Sequence, residues 1–170
     1  MNAVVKPHAN LRAMLASDLP AVLAIEQAAY EFPWTRGNFL DSLHAGYLAR
    51  LMFDERGRVI GYFIAMSGVD EMHLLNLSVA PALQGRGHGR AMLDALLQLC
   101  REHGAGMLWL EVRTSNLRAR SLYRRLGFSE IGIRRGYYPA AGGAREDAIV
   151  MSLATAPMPG ASNGPADGLD

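Results

Sequence analysis

A glycine-rich turn carries the clearest chemical signal in the chain. Residues 84–90 read Gln-Gly-Arg-Gly-His-Gly-Arg and lie between a predicted strand and a predicted helix. The first amides of a helix have no internal hydrogen-bond partner, and the helix dipole is positive at that end. Glycines let an anion approach the backbone, and Arg86 and Arg90 can add charged hydrogen bonds. The turn predicts a phosphate or diphosphate site, or else a tight turn that uses glycine only for its backbone freedom.

Two common nucleotide-binding loops do not fit this turn. The dinucleotide fingerprint G-x-G-x-x-G, counted from Gly85, needs a third glycine where the chain has Arg90. The P-loop needs a lysine followed by serine or threonine, and the turn has neither. The spacing Gln/Arg-x-x-Gly-x-Gly/Ala does fit, with Gln84, Gly87 and Gly89. A nucleotide-binding protein is therefore disfavoured.

Glu111 is the candidate general base. It interrupts an apolar strand, and strand alternation places it on one face with Trp109 and Arg113. A carboxylate in a partly dry site beside a tryptophan has its charged form disfavoured, which suits proton abstraction from an amine near neutral pH. The alternative is a structural ion pair with Arg113 or Arg134.

Tyr123 is the candidate general acid, or alternatively a core tyrosine, because it lies on the inward stripe of its predicted helix. A phenol there could protonate a leaving thiolate. Asn116 precedes the same helix and is typical of a helix cap. If an amine attacks and a thiolate leaves in the same site, no covalent enzyme intermediate is required, and so no catalytic cysteine. Cys100 falls on the buried stripe of another predicted helix.

The elements that must position these residues alternate in the order β-α-α-β-β-β-α-β-α-β-β. We predict a mixed α/β sheet flanked by about four helices, with the two longest helices in crossovers. The predicted strands cover 10–16, 47–53, 59–66, Glu71–Val79, 107–112, 128–134 and 146–153; the predicted helices cover about 18–30, 35–43, 84–102 and 116–126. Continuous hydrophobicity predicts that strand 107–112 is buried on both faces.

One domain is predicted over residues 10–153. Residues 1–9 are expected to be flexible, and the Pro-, Gly- and Ala-rich tail 154–170 is expected to be disordered. The segment 31–34 cannot continue the first helix, because Pro33 lacks an amide hydrogen. Its aromatic rings either pack on the sheet edge or form a wall of a substrate pocket.

The composition is that of an ordinary globular protein. The formal net charge is +1, which gives no global electrostatic case for nucleic acid or membrane binding. The single cysteine excludes an internal disulfide, and we expect a cytoplasmic monomer without a metal. A set of arginines predicts either a local basic face or a solvated helix surface: Arg113, Arg118, Arg120, Arg124, Arg125, Arg134 and Arg135.

The glycine spacing resembles the acetyl-CoA diphosphate loop of the GCN5-related N-acetyltransferase (GNAT) superfamily. Within it, the chain is similar to the RimI-like ribosomal-protein-alanine N-acetyltransferases. The segments that carry this likeness are Ile-Glu at 25–26, Phe-Pro-Trp at 32–34, Trp-Leu-Glu-Val-Arg at 109–113, Ser-Asn at 115–116, Leu-Tyr at 122–123, Leu-Gly-Phe at 126–128, Arg-Arg-Gly-Tyr-Tyr-Pro at 134–139 and Arg-Glu-Asp-Ala at 145–148. The segment Ala-Pro-Ala-Leu at 80–83 departs from it, because an acid and an aromatic are more usual there.

The resemblance implies a GNAT fold, with a mostly antiparallel sheet that bulges and splays at the cofactor site. It implies that Glu111 is the base and Tyr123 the acid, and that Asn116 contacts the pantetheine arm. Pantetheine would pair with the backbone of Leu77, Ser78 and Val79. The diphosphate would bind Gln84, Gly85, Arg86, Gly87, His88, Gly89 and Arg90, and the peptide entrance would be bordered by Phe32, Trp34, Tyr137 and Tyr138.

The implied activity is direct transfer of an acetyl group from acetyl-CoA to the N-terminal alanine of a ribosomal protein. Three alternatives stay open: an acetyltransferase for a small-molecule amine, a CoA-binding module without catalysis, and a nucleotide-binding protein. The acidic residues are scattered rather than clustered, which disfavours the first alternative. The joint presence of Glu111 and Tyr123 disfavours the second.

Overall fold

The computed structural model describes residues 10–155. The predicted flexible segment 1–9 and residues 156–170 of the predicted tail lie outside the described residues. The predicted tail begins two residues too early. Ala154 is the last residue of a strand, and the Thr155 amide donates a hydrogen bond to the Gly106 carbonyl oxygen.

Seven strands and four α-helices make up residues 10–155, in the predicted order. The strands are β1 (Asn10–Ala13), β2 (Leu48–Phe53), β3 (Val59–Ser67), β4 (Glu71–Val79), β5 (Met107–Arg113), β6 (Ser129–Pro139) and β7 (Arg145–Ala154). The helices are α1 (Leu19–Ala29), α2 (Arg36–His44), α3 (His88–Glu102) and α4 (Leu117–Arg125). None of the helices in this part of the chain is long and apolar enough to cross a membrane.

All seven strands belong to one sheet, in the order β1-β2-β3-β4-β5-β7-β6. Every neighbouring pair is antiparallel except β4 and β5, which are parallel and are connected through α3. The predicted mixed, mostly antiparallel sheet with four flanking helices is therefore confirmed.

The parallel pair β4 and β5 separates halfway along its length. The two strands pair over only four positions, ending at Leu74 and Leu110. Beyond that point β4 pairs only with β3 as far as Val79, and β5 pairs only with β7 as far as Arg113. Leu75 has no partner in the register with β3, so a bulge marks the separation. The predicted splay is present, and it leaves a gap between the carboxyl ends of the two central strands.

Helix α3 covers one face of the sheet with a fully buried stripe of Met92, Leu93, Leu96 and Cys100. Burying such an apolar side chain contributes about 1.5–3 kcal/mol, so this stripe anchors the helix over the central strands. Ala91 and Leu97 of the same helix are only partly buried. Burial also raises the pKa of the Cys100 thiol to about 11, consistent with its predicted core position.

Helix α3 starts at His88, four residues later than predicted. Gly85 and Gly87 have φ values of 75° and 87°, and this left-handed conformation cannot continue a right-handed helix. Helix α4 ends as predicted, since Gly127 follows it with a φ of 98°. The glycine segment is therefore a loop that leads into α3 and supplies its N-cap.

Strand β5 is not buried equally on its two faces, contrary to the prediction. Leu108, Leu110 and Val112 are buried in the core with α3, whereas Trp109, Glu111 and Arg113 are only partly buried. The first three side chains share the face that packs against α3, and the other three project from the opposite face. The predicted alternation that puts these last three side chains on one face is confirmed.

Candidate active site

A cleft with a volume of about 1090 Å³ occupies the gap between β4 and β5. One end reaches the glycine loop before α3, and the other reaches the loop after α1 and the end of β6. Glu111 and Tyr123 both line it between these ends. The fold thus brings the predicted anion site and both predicted proton-transfer residues into one cavity.

The glycine loop leaves the first amides of α3 accessible. The first backbone hydrogen bond of the helix runs from the Ala91 amide to the Gly87 carbonyl oxygen, so three amides precede it, those of His88, Gly89 and Arg90. Gly87 is the N-cap, no side chain caps the helix there, and nothing lies within 4 Å of where a Cβ on Gly87 would be. An anion can therefore approach these amides directly.

Five of the six residues from 85 to 90 line the cleft: Gly85, Gly87, His88, Gly89 and Arg90. Arg86 is the exception. It is exposed, does not line the cleft and lies between two left-handed glycines in the loop that precedes the helix. The place of Arg86 in the phosphate site stays a prediction, although the helix starts four residues later than that prediction assumed.

Gln84 links β4 to α4. Its Nε2 donates a 3.1 Å hydrogen bond to the Val79 carbonyl oxygen, and its Oε1 accepts a 2.9 Å bond from Arg118 Nη1. Arg118 also passes close to Gly85, where a Cβ would lie 3.0 Å from Nη2. Gln84 therefore shapes the loop, and Arg118 brings a cation to its rim. The sequence had marked Arg118 only as one member of the arginine set.

The backbone direction of β4 decides which residues face the gap. The Ala80 amide donates to the Ile60 carbonyl oxygen on β3, and backbone groups alternate between the two sides of a strand. Ser78 therefore directs its backbone to β3, whereas Leu77 and Val79 direct theirs to the gap. This direction favours Leu77 and Val79 over Ser78 for backbone contacts with a cofactor, and these contacts stay predictions; the Ser78 side chain does line the cleft.

Tyr30, at the end of α1, lines the cleft and had not been predicted as a site residue. Its hydroxyl donates to the Leu77 carbonyl oxygen at 3.0 Å and accepts from Ser78 Oγ at 2.8 Å. Burial raises the pKa of Tyr30, so the phenol stays neutral and can keep donating. It fixes the open edge of β4 from across the cleft.

Glu26 is a second carboxylate at the base of the cleft, and it is fully engaged. It is buried, and it accepts hydrogen bonds from the Trp34 amide at 2.9 Å, from Asn76 Nδ2 at 3.1 Å and from the Tyr62 hydroxyl. These three donors satisfy the hydrogen-bonding needs of the buried carboxylate. It ties the aromatic loop after α1 to the sheet, a contact between distant residues that no local pattern signals.

The Glu111 carboxylate is nearly buried, and its two oxygens differ. Oε2 lies 2.6 Å from His73 Nε2. Oε1 lies 3.4 Å from Arg134 Nε, yet among the residues that the structure describes it has no hydrogen-bond partner. Of the two ion pairs considered from the sequence, the one with Arg134 is present, whereas Arg113 is engaged elsewhere. His73 thus holds one oxygen of the carboxylate, and the other faces the Arg134 guanidinium.

Tyr123 is 8% exposed, and its ring packs against Phe128 at a centroid distance of 5.5 Å. Burial is the main reason that its pKa is raised well above the ordinary value near 10, and the nearby Tyr30 and Tyr138 add to the effect. The phenol is therefore protonated at physiological pH and can act as a proton donor. Tyr123 therefore packs in the core and also lines the cleft, and its role as a general acid stays a prediction.

Arg113 joins the two sides of the cleft at its aromatic end, which is the end formed by the loop after α1 and the end of β6. Its guanidinium lies 5.6 Å from the Phe32 ring centroid and 4.4 Å from that of Tyr138. Its Nη1 also donates to the Pro139 carbonyl oxygen at 2.8 Å and pairs with Glu146 at 3.3 Å. The loop after α1 and the end of β6 are thereby held together through one side chain of β5.

Phe32, Trp34 and Tyr138 line the cleft as predicted, which favours the pocket-wall interpretation of the aromatic loop. Tyr137 does not line it. Its ring is directed to Arg134, 5.3 Å from the guanidinium, because neighbouring residues of β6 project to opposite sides. Asn116 lines the cleft and is also the predicted cap of α4, since its side chain accepts a 3.2 Å bond from the Ala119 amide.

A splayed sheet with free helix amides, a carboxylate and a phenol along one cleft suits the transfer of an acyl group from a phosphate-bearing donor. The model of the Acetyltransferase (GNAT) family matches residues 19–128, which include β4, the glycine loop, α3, β5 and α4. The chain therefore belongs to the GNAT acetyltransferase family and is an acyltransferase. Members of this family use acetyl-CoA.

Relatives with curated names narrow the resemblance within the family. The chain is 39% identical over 143 residues to the [ribosomal protein bS18]-alanine N-acetyltransferase of Haemophilus ducreyi, covering 84% of this chain and 98% of that protein. It is 43% identical over 137 residues to the protein of the same name in Escherichia coli, covering 81% and 91%. The crystal structure of the Escherichia coli ribosomal-protein-S18-alanine N-acetyltransferase superposes with a TM-score of 0.80 at 40% identity, covering 90% and 97%.

Proposed function

We propose that this chain transfers the acetyl group of acetyl-CoA directly to the N-terminal alanine of a ribosomal protein, within a ternary complex. The observation that carries the proposal is the single cleft, which runs from the free amides of α3, past Glu111, to an aromatic rim. The names of the relatives support alanine on a ribosomal protein as the acceptor. We also propose that the chain acts as a monomer in the cytoplasm, where its single cysteine suits a reducing environment.

The residues at the glycine-loop end of the cleft fit the phosphates and the arm of acetyl-CoA. The amides of His88, Gly89 and Arg90 would hold the diphosphate, since Gly87 leaves their surroundings open. Leu77 and Val79 would offer backbone groups to the pantetheine amides, and Asn116 would contact the arm from the other side. Arg118 would add a positive charge at the rim. These assignments extend the cleft geometry to a bound donor.

Acetyl-CoA supplies the acetyl group as a reactive thioester. Glu111 would accept the proton of the attacking amine. Tyr123 would donate its proton to the departing thiolate, since its raised pKa keeps the phenol protonated. An α-amine has a pKa of about 7.7–8.0, against about 10.4 for lysine, so a carboxylate base suits an N-terminus better.

The aromatic end of the cleft suits the N-terminus of a polypeptide better than a small polyamine or a sugar amine. Two of its acids are already engaged, because Glu26 accepts three hydrogen bonds and Glu146 is held by Arg113 and the Ser115 amide. The hydrogen bonds from Ser115 also lower the pKa of Glu146. Neither acid is free to bind a cationic small molecule. Aromatic rings on both sides of the opening can instead contact backbone and side chains of an extended segment.

A peptide panel tests the acceptor. Peptides that begin with Ala, Ser, Thr or Met, but are otherwise identical, would be assayed with acetyl-CoA. We expect the highest kcat/KM for alanine and no transfer to an N-terminally blocked peptide that carries an internal lysine. Transfer to aminoglycosides or polyamines without transfer to any peptide would contradict the proposal and favour the small-molecule alternative.

A further inference from the structure

We propose that His73 is a positioning residue for the Glu111 carboxylate. The inference rests on the proposed role of Glu111 as the base and adds a residue that the sequence did not single out. His73 lies on β4 and Glu111 on β5, and Nε2 of the first lies 2.6 Å from Oε2 of the second. Both side chains are nearly buried, with 11% and 6% of their surfaces exposed.

The His73 ring is itself held in a fixed orientation. It stacks on the Trp109 ring with a centroid distance of 3.6 Å and an interplanar angle of 12°. His73 and Trp109 are also register partners in the parallel pair. The imidazole therefore directs Nε2 to Glu111 from a platform that the sheet backbone determines.

The position of His73 relative to the splay gives this contact its importance. Only Leu74 follows it in the paired part of β4, and a bulge begins at Leu75. Glu111 lies one position beyond Leu110, the last residue of β5 that pairs with β4. No backbone ladder from β4 thus supports the carboxylate, and His73 is the side chain that reaches it from that strand.

The contact also determines which oxygen is free. With Oε2 bound to His73, only Oε1 is left to accept a proton, near the Arg134 guanidinium. Burial and the Glu111 charge raise the pKa values of Tyr137 and Tyr138, so both phenols nearby stay neutral. Without His73 the carboxylate keeps only its ion pair with Arg134, and its orientation in the cleft is no longer fixed. Misplacement of a reacting group by about 1 Å can cost about 100-fold in rate.

Three substitutions at His73 separate positioning from packing. His73→Phe keeps an aromatic ring against Trp109 but removes the hydrogen bond. His73→Gln places an amide nitrogen near the position of Nε2, whereas His73→Asn has the same amide group on a shorter chain that does not reach Oε2. The kcat value and the KM values for acetyl-CoA and an alanine-first peptide would be measured for each variant, together with its thermal midpoint.

We expect kcat to fall about 10- to 100-fold in His73→Phe and His73→Asn, with both KM values within about twofold of wild type. We expect His73→Gln to recover most of the lost rate. If His73→Phe does not fold, the comparison of Gln with Asn decides. Equal kcat values for Gln and Asn, or a wild-type kcat for Phe, would overturn the inference. Glu111→Gln tests the base separately: wild-type activity in that variant contradicts the proposed function, whatever the His73 variants do.

Discussion

The two ends of the cleft are built in different ways. At the glycine-loop end, the binding groups are backbone amides exposed by a loop with left-handed glycines, and they come from one continuous segment of the chain. At the aromatic end, the wall depends on side chains from three distant segments, with Arg113 between Phe32 and Tyr138. The first end requires a backbone conformation, and the second requires tertiary contacts.

This difference suggests a division of roles. A backbone site recognises phosphates through geometry that any suitable glycine loop provides, so it fits a donor shared by a whole family. A wall of side chains can change residue by residue without loss of the fold, so it fits an acceptor that varies between family members. Glu111 and Tyr123 lie where the two ends meet, and substitutions there should affect turnover rather than either binding step.

The largest effect is expected from Tyr123→Phe. Loss of a general acid lowers kcat about 10²- to 10⁴-fold, and neither KM value should change much because the ring still packs against Phe128. Since the pKa of Tyr123 is raised, the phenol stays protonated as the pH rises, and the rate ratio of wild type to variant should stay constant from about pH 6 to about pH 10. Steady-state kinetics measure both. Tyr47→Phe is the control, and a Tyr123→Phe variant with wild-type kcat would remove Tyr123 from the mechanism.

Gly87→Ala should affect only the glycine-loop end of the cleft, and therefore only acetyl-CoA binding. A Cβ at a φ of 87° costs about 1–2 kcal/mol of strain and obstructs the free amides, so the KM for acetyl-CoA should rise about tenfold with the peptide KM unchanged. Gly57→Ala is a matched control. Gly57 has a φ of 75°, equally open surroundings and a place in the turn between β2 and β3, so it should lose stability without any change in KM. Equal KM values in the two variants would contradict a diphosphate site at this loop.

Arg113→Leu should affect only the aromatic end of the cleft, and therefore only peptide binding. Each cation–π contact contributes about 0.5–1 kcal/mol or more, so loss of the contacts with Phe32 and Tyr138 should raise the peptide KM about fivefold and leave the KM for acetyl-CoA unchanged. Arg12→Leu serves as the control, because Arg12 also has an ion pair and a ring contact but lies on β1. An increase in the acetyl-CoA KM alone would reverse the assignment of the two ends.

Two helix caps give the smallest and most specific comparison. Asn116 caps α4 at the cofactor side and Thr35 caps α2 at the acceptor side, and replacement of either by alanine should cost about 1 kcal/mol of unfolding free energy. Only Asn116→Ala should also raise the KM for acetyl-CoA. Denaturant unfolding and kinetics measure these effects together. If Asn116→Ala leaves the acetyl-CoA KM unchanged, Asn116 is a cap and nothing more.

The same division explains how much could be predicted from the sequence. The element order, the glycine loop and the caps were predictable because each depends on a local pattern, and the exit of β4 into the splay followed from the family resemblance. The later start of α3 could not be predicted, because the conformations of Gly85 and Gly87 are not visible in the residue types. Glu26 was marked only through the family resemblance, and His73 and Tyr30 were not singled out as site residues, since the importance of all three comes from partners about 40 to 50 positions away.

The central claim is that the amides at the start of α3 hold a diphosphate and thereby place a thioester beside Glu111. A crystal structure with a non-reactive acetyl-CoA analogue tests it most directly. We expect diphosphate oxygens within hydrogen-bond distance of the amides of His88, Gly89 and Arg90, and the thioester sulfur in the gap next to Glu111 and Tyr123. A diphosphate bound elsewhere, or a thioester on the far side of the sheet from Glu111, would contradict the account.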